Sequence, residues 1–193
     1  MMQKLIIATH NKGKLKEFEQ MFGGLFEVYS LPYNGFDQDI EETGETFYEN
    51  ALLKAKFVHE HTGEITVADD SGLCVNALNG EPGLFSARYG GENSTQDYKN
   101  SLLLSRLSDK DDRSAKFVCS LLMFGEQGVI ASGYGETSGR ILFKAEGEGG
   151  FGYDPLFFSD DLNKSFGVAT AEEKNSVSHR SRAIKNLLEN LNK

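Results

Sequence analysis

The chain has 193 residues, 39% hydrophobic and 11% aromatic, enough to bury the core of one large domain or of two small lobes, and too many for extensive disorder. Its 29 acidic and 20 basic residues give a net charge of −9, which argues against non-specific nucleic-acid binding, an interaction driven by phosphate neutralisation. A small anionic ligand is still compatible, because local lysines or a bound cation can reverse the field inside a cleft.

Residues 3–9, QKLIIAT, read as a buried strand. In KGKLKEFEQMF, Leu15, Phe18 and Phe22 recur at spacings of three and four, the stripe of a helix. FEVYSL, 26–31, reads as a second strand, and 32–46 as a polar loop. Helical spacing returns from Glu45, with Phe47, Ala51, Ala55 and Val58 on one face and Gly63 as the stop. EITVAD, 64–69, is a strand, and the glycine-rich 71–93 reads as loops. A helix is expected over 95–107. SAKFVCSLLMF, 114–124, is the clearest long strand, with 128–135 as its antiparallel neighbour and GRILF as a short further strand. EGEGGFGYDPLFF breaks all periodicity. Residues 178–191 form a last helix, with Ile184, Leu187, Leu188 and Leu191 inward and Ser178 able to cap it. This order predicts an α/β fold with a mixed central sheet flanked by helices, two lobes with an active-site cleft between them, and one domain over 1–193.

Cys74 and Cys119 sit in apolar company and read as buried thiols of a reducing compartment. The apolar run at the N-terminus is too short for a signal peptide, and no run reaches the roughly 20 apolar residues of a membrane span. A cytoplasmic protein without membrane contact is expected.

Chemistry concentrates in a few segments. THNKGK, 9–14, lies where a strand hands over to a helix, a place where unpaired backbone N–H groups attract anions; Lys12 and Lys14 add charge, although they suit a solvated helix start equally well. In TVADDSGL the apolar run ends on Asp69 and Asp70. Adjacent strand residues point to opposite faces, so one of the pair faces a ligand and the other braces a neighbouring element. Glu41 and Glu42 precede the second long helix and could share a hard cation with that pair, while Lys54 and Lys56 read as ordinary helix charges. GGFGYDP, 149–155, sets an aromatic and a carboxylate among glycines, which suits a planar heterocycle or a packed turn. Lys174, His179, Arg180 and Arg182 gather positive charge at a helix start, where the helix dipole disfavours it unless a ligand supplies acceptors.

Together THNKGK, EETGETFYENALLKAK, ADDSGL, GEPGLFSARYGGE, GGFGYDPLFF and TAEEKNSVSHRSRA, in this order across nearly the whole chain, resemble the inosine triphosphate pyrophosphatase family. The resemblance implies Mg2+-dependent hydrolysis of ITP, dITP and XTP to the nucleoside monophosphate and pyrophosphate, cleansing the nucleotide pool. It implies that Thr9, His10, Asn11, Lys12, Gly13 and Lys14 hold the triphosphate, that Glu41 and Asp70 bind the metal, and that Asp70 is catalytic. Ser71 would touch the substrate. Phe151, Gly152, Tyr153 and Asp154, then Lys174, His179 and Arg180, would receive the base. A homodimer is implied as well, with 83–93 as a candidate interface. His10 stands where many members of the family have Gly or Asn, and Tyr153 where some have Trp. Without the resemblance, the residues alone describe an anion-binding α/β enzyme. A hydrolase of other nucleotides or a non-catalytic nucleotide sensor would draw on the same segments.

Overall fold

The computed structural model describes residues 2–38 and 40–191. Among these described residues seven strands form one mixed sheet in the order β2-β1-β3-β4-β5-β6-β7, and the chain divides into two compact units.

The first unit comprises Met1–Asp70, Cys119–Gly135 and Arg180–Lys193. It opens with β1 (Lys4–Ile7), α1 (Lys12–Phe22) and β2 (Glu27–Ser30), then α2 (Phe47–Thr62) and the start of β3 (Ile65–Val75). β1 pairs in parallel with β2 and with β3, Leu5 lying opposite Val28 and Ile65. The step from β1 to β2 and the step back from β2 to β3 cross the sheet in opposite directions. With right-handed crossovers, α1 and α2 must then cover opposite faces. Two cores follow. Leu5, Ile7, Val67, Cys119 and Leu121 face Phe18 and Phe22 of α1, and Ala183, Ile184 and Leu187 of α5 (His179–Leu191). Ile6, Ala8, Ala68 and Leu122 face Ala51, Ala55 and Val58 of α2. Thr46 and Glu49 close a reciprocal capping box at the start of α2, and Gly63 ends it in the left-handed conformation at φ 71°.

The second unit comprises Ser71–Val118 and Glu136–His179. It holds α3 (Gln96–Arg106), the start of β4 (Ser114–Gly125), the end of β5 (Gly128–Ile141), β6 (Phe157–Ser159), β7 (Lys164–Ser165) and α4 (Ala171–Val177). Its core gathers Leu73, Val75, Leu103, Phe117, Ile141, Tyr153, Phe157 and Phe166. β6 runs antiparallel to β5 and β7, and the two residues between β4 and β5 leave room only for a hairpin.

Two expectations are corrected and one element is added. The segment after Asp70 is not all loop: β3 runs on to Val75, because Leu73 and Val75 both enter the second core, and short 3-10 turns occupy 76–78 and 83–88. GRI is the end of β5 rather than a separate strand. Ala131, Gly133, Gly135, Thr137, Gly139 and Ile141 are all buried on alternate positions, so the glycines carry the period instead of breaking it. Finally, TAEEKNSV forms a helix of its own, α4, opened by a Thr170–Glu173 capping box.

Candidate active site

The two aspartates owe their settings to the alternation of β3. Val67 and Asp69 share the face covered by α1 and α5, and Ala68 and Asp70 share the face covered by α2. Pairing of β3 with β1 ends at Ile7 and Val67, so both carboxylates lie just past the end of the parallel part of the sheet. Ligands of α/β sheets collect at such a position.

Asp69 is 2% exposed and answered by cations. Lys14 Nζ donates to its Oδ1 at 3.1 Å and lies 2.9 Å from its Oδ2. Arg180 donates to Oδ2 from Nε at 3.3 Å and from Nη2 at 3.1 Å, while its Nη1 donates to Glu17. Burial alone would raise the Asp69 carboxyl, but the charges of Lys14, Arg180 and Lys54 outweigh it and hold the group far below the usual carboxylate range. The Cys119 thiol donates weakly to the same oxygen at 4.0 Å, and burial beside that negative charge pushes it up to about 12.

Asp70 is 5% exposed and is treated differently. Asn50 Nδ2 donates to its Oδ2 at 3.0 Å, and Lys54 Nζ stands 3.7 Å from Oδ1 while donating to Glu42 at 2.6 Å. Here the balance reverses. Burial raises the carboxyl and the nearby Glu42 raises it further; Lys54 and Asn50 do not offset them. Burial lowers the Lys54 ammonium, but Asp70, Asp69 and Glu42 more than restore it. Asp70 is therefore harder to ionise than an ordinary carboxyl.

The 9–14 segment begins α1. Asn11 is the N-cap, its Oδ1 accepting from Lys14 N at 3.1 Å, and Thr9 Oγ1 accepts from Asn11 N at 3.1 Å. No acidic residue sits in the first turn, so the positive end of the helix dipole is uncancelled. His10 Nε2 lies 2.6 Å from Asp37 Oδ1. Lys12 is exposed and Gly13 half-buried.

In the second unit, Asp154 is 2% exposed and its Oδ2 accepts from Phe151 N and from Lys174 Nζ, both at 2.7 Å. A side chain at Gly150, which has φ 71°, would place its Cβ 2.1 Å from the same oxygen, so the loop closes on Asp154 only with glycine there. The Lys174 ammonium also lies 4.4 Å from the centre of the half-buried Phe151 ring. His179 is buried and stacks on Phe117, ring centres 4.8 Å apart. Ser71 is half-buried.

The first unit thus joins Lys14, Arg180 and Asp69, and the second joins Phe151, Asp154 and Lys174. Three placements depart from the sequence reading. Tyr153 is 4% exposed in the core with its hydroxyl donating to Ser86 O at 3.0 Å, which leaves Phe151 as the accessible aromatic face. The Arg180 guanidinium, expected to serve a base, is 1% exposed and committed to Asp69 and Glu17; this also removes its conflict with the helix dipole. Glu41 is exposed, and the carboxylate coupled to Asp70 through Lys54 is Glu42. Glu17 and Asn50 are not among the residues the sequence singles out, and Lys54 reads there as an ordinary helix charge. Asn50 and Lys54 are one helical turn apart on one face of α2, and that spacing was the available signal. Among the described residues, no three His, Cys, Asp or Glu side chains are grouped as a metal site, and no helix is long and apolar enough to cross a membrane.

The chain is similar to known proteins over nearly its full length. The Ham1 family model matches residues 5–190. A dITP/XTP pyrophosphatase of Bacillus subtilis is 43% identical, covering 96% of this chain and 96% of its own length. One of an Exiguobacterium strain is 45% identical, covering 95% and 94%. The solved structure of the Staphylococcus aureus Ham1 protein superposes with a TM-score of 0.87 at 40% identity, covering 98% of each chain. With the family model spanning nearly its full length, this chain belongs to the Ham1 family.

Proposed function

We propose that this pyrophosphatase hydrolyses ITP, dITP and XTP between the α and β phosphates, giving the nucleoside monophosphate and pyrophosphate, with Mg2+ and in the cytoplasm. The relatives' substrates support the nucleotide class. The observation that carries the chemistry is the contrast within one dipeptide: Asp69 accepts hydrogen bonds from the Lys14 ammonium and the Arg180 guanidinium, whereas Asp70 accepts from the Asn50 amide with the Lys54 ammonium 3.7 Å away.

That contrast suits a divalent cation. Mg2+ takes hard oxygen ligands and is commonly held by one or two carboxylates together with substrate phosphates, so a dedicated cage of protein groups is not required. Asp70 and the exposed Glu41 would hold it, with Glu42 kept near Asp70 by Lys54. When bound, the ion supplies Lewis-acid stabilisation of the phosphate charge.

The remaining roles belong to the chain. The N-terminus of α1, with Thr9 to Lys14, takes the triphosphate; the positive end of the helix dipole and the two lysines stabilise charge on the departing pyrophosphate. Asp70 accepts the proton of the attacking water over hydrogen-bond distance. Lys14 and Arg180 hold Asp69, and through it the strand on which Asp70 stands. Ser71 contacts the substrate. Phe151 stacks on the purine, and Gly152 leaves its edge open. Lys174 and His179 donate to the 6-oxo group of hypoxanthine or xanthine, and Asp154 fixes the ammonium that does so. Adenine presents an amino donor there, and each buried group left unpaired costs about 1–3 kcal/mol.

The decisive experiment is a panel of ITP, XTP, dITP, dUTP, GTP and ATP with Mg2+ and identification of products. Monophosphate and pyrophosphate from ITP, XTP and dITP are expected; release of a diphosphate would exclude the reaction. A homodimer is part of the same reading. The exposed Phe85, which lines a pocket together with Pro82 and Tyr89, is an apolar feature within 83–93 suited to a subunit contact, and a monomer by sedimentation equilibrium would remove that assignment.

A further inference from the structure

Asn50 is 1% exposed on α2, and both ends of its amide are used. Nδ2 donates to Asp70 Oδ2 at 3.0 Å, and Oδ1 accepts from Gly44 N at 2.8 Å. The second bond is not needed to cap the helix. Glu49 Oε2 already accepts from Glu45 N at 2.7 Å and Thr46 N at 3.1 Å, and Thr46 Oγ1 accepts from Glu49 N at 3.1 Å. Three consecutive N–H groups, of Gly44, Glu45 and Thr46, are thereby fastened to the first turn of α2, and only the Gly44 bond is made by a side chain whose other end reaches the catalytic carboxylate. Gly44 is required by the closeness of this fit: a Cβ there would lie 2.7 Å from Asn50 Oδ1, 2.7 Å from Glu49 Cβ and 2.9 Å from Asn50 N.

We infer that Asn50 is a positioning residue, one that holds the Asp70 carboxylate and the loop carrying Glu41 and Glu42 in a single register, so that oxygens from both are presented together to a divalent cation. The inference rests on the proposed metal-dependent reading. The chemistry of the amide is what selects it. A carboxylate at position 50 could still accept from Gly44 N but would offer Asp70 no donor, and an aliphatic side chain would offer neither bond. With Oδ2 held by the amide, Oδ1 is the oxygen turned toward Lys54.

Mn2+ binding is to be measured by electron paramagnetic resonance in the presence of a non-hydrolysable α,β-methylene analogue of ITP, alongside turnover of ITP at saturating Mg2+. Asn50→Leu and Gly44→Ala, which break the bridge from its two ends, are expected to weaken Mn2+ binding by about tenfold or more, the usual effect of losing an outer hydrogen bond to a metal ligand. Asn50→Asp keeps the loop anchor; it is expected to lower kcat by about tenfold or more with KM for ITP within about threefold, a split that loss of loop order alone would not produce. Parent-like Mn2+ affinity in both bridge variants, or parent-like kcat in Asn50→Asp, overturns the inference, and the last result decides it if Asn50→Leu does not fold. A parent protein that binds no Mn2+ beside the analogue overturns the metal reading and this inference together. One that binds Mn2+ but releases no pyrophosphate removes the proposed activity only, and the Mn2+ comparison still decides the role of Asn50.

Discussion

Replacing Arg180 with alanine removes a fully buried cation that answers two carboxylates, Asp69 at 2% exposure and Glu17 at 8%. Removing one partner of a buried ion pair costs about 3–5 kcal/mol, because the remaining charge stays desolvated and unmatched. Lys14 still reaches both oxygens of Asp69, so the lower figure applies. For a chain of this size about 3 kcal/mol lowers Tm by about 6–12 °C. The loss also depends on pH. Asp69 has a folded-state pKa below its unfolded value, so its contribution is complete above about pH 4, the unfolded carboxyl value, and declines as the pH falls toward the folded one. Thermal and urea melts of parent and Arg180→Ala should therefore lie farthest apart near neutrality and converge in acid. Arg180→Lys should recover only part of the difference, because an ammonium lacks the planar fork that spans two carboxylates. A variant melting within about 2 °C of the parent near pH 7, or a difference that widens in acid, would refute the reasoning.

Asp70→Asn should lower pyrophosphate release from ITP by about 100-fold or more while Tm stays level or rises. The Asp70 pKa is raised by burial, so its ionisation opposes folding above that pKa, and the amide removes the penalty; parent-like release would end the catalytic assignment. Lys174→Ala should reduce the ITP-to-ATP ratio of kcat/KM by about tenfold, equivalent to one buried hydrogen bond of about 1.4 kcal/mol, and an unchanged ratio would take Lys174 away from the base. Phe151→Leu should raise KM, whereas Tyr153→Phe should leave KM unchanged and cost only about 0.5–1.5 kcal/mol of stability for the bond to Ser86. Steady-state kinetics on the two aromatic variants would reverse that order if Tyr153 were the stacking ring.

What the sequence could convey was governed by range and by period. The opposite orientations of Asp69 and Asp70 follow from strand alternation alone and are found as expected. The helices carrying Phe18, Ala55 and Leu187 were legible from apolar spacing, and Gly63 marked the end of α2. β5 reads short, ending at Gly135, because Gly135 and Gly139 resemble breaks when no neighbour is in view, although each occupies an inward position. Arg180 looked like an open donor because its partners lie 111 and 163 residues away in sequence, and nothing local announces them. The packing of Tyr153 is hidden for the same reason: a tyrosine among glycines suits a heterocycle platform or a packed turn until the carbonyl of Ser86, 67 residues distant, accounts for its hydroxyl. Asn50 carried the right spacing toward Lys54, but a polar residue at a helix start has many ordinary uses.

Beneath Asp69, the Cys119 sulfur is wholly buried and its proton is held to about pH 12. Thiolate is the species that alkylating reagents consume, so this side chain is doubly shielded while the first unit stays closed. Its rate of modification, followed by mass spectrometry, would count excursions that uncover the strand bearing Asp70, a native clock for local opening that needs no introduced label.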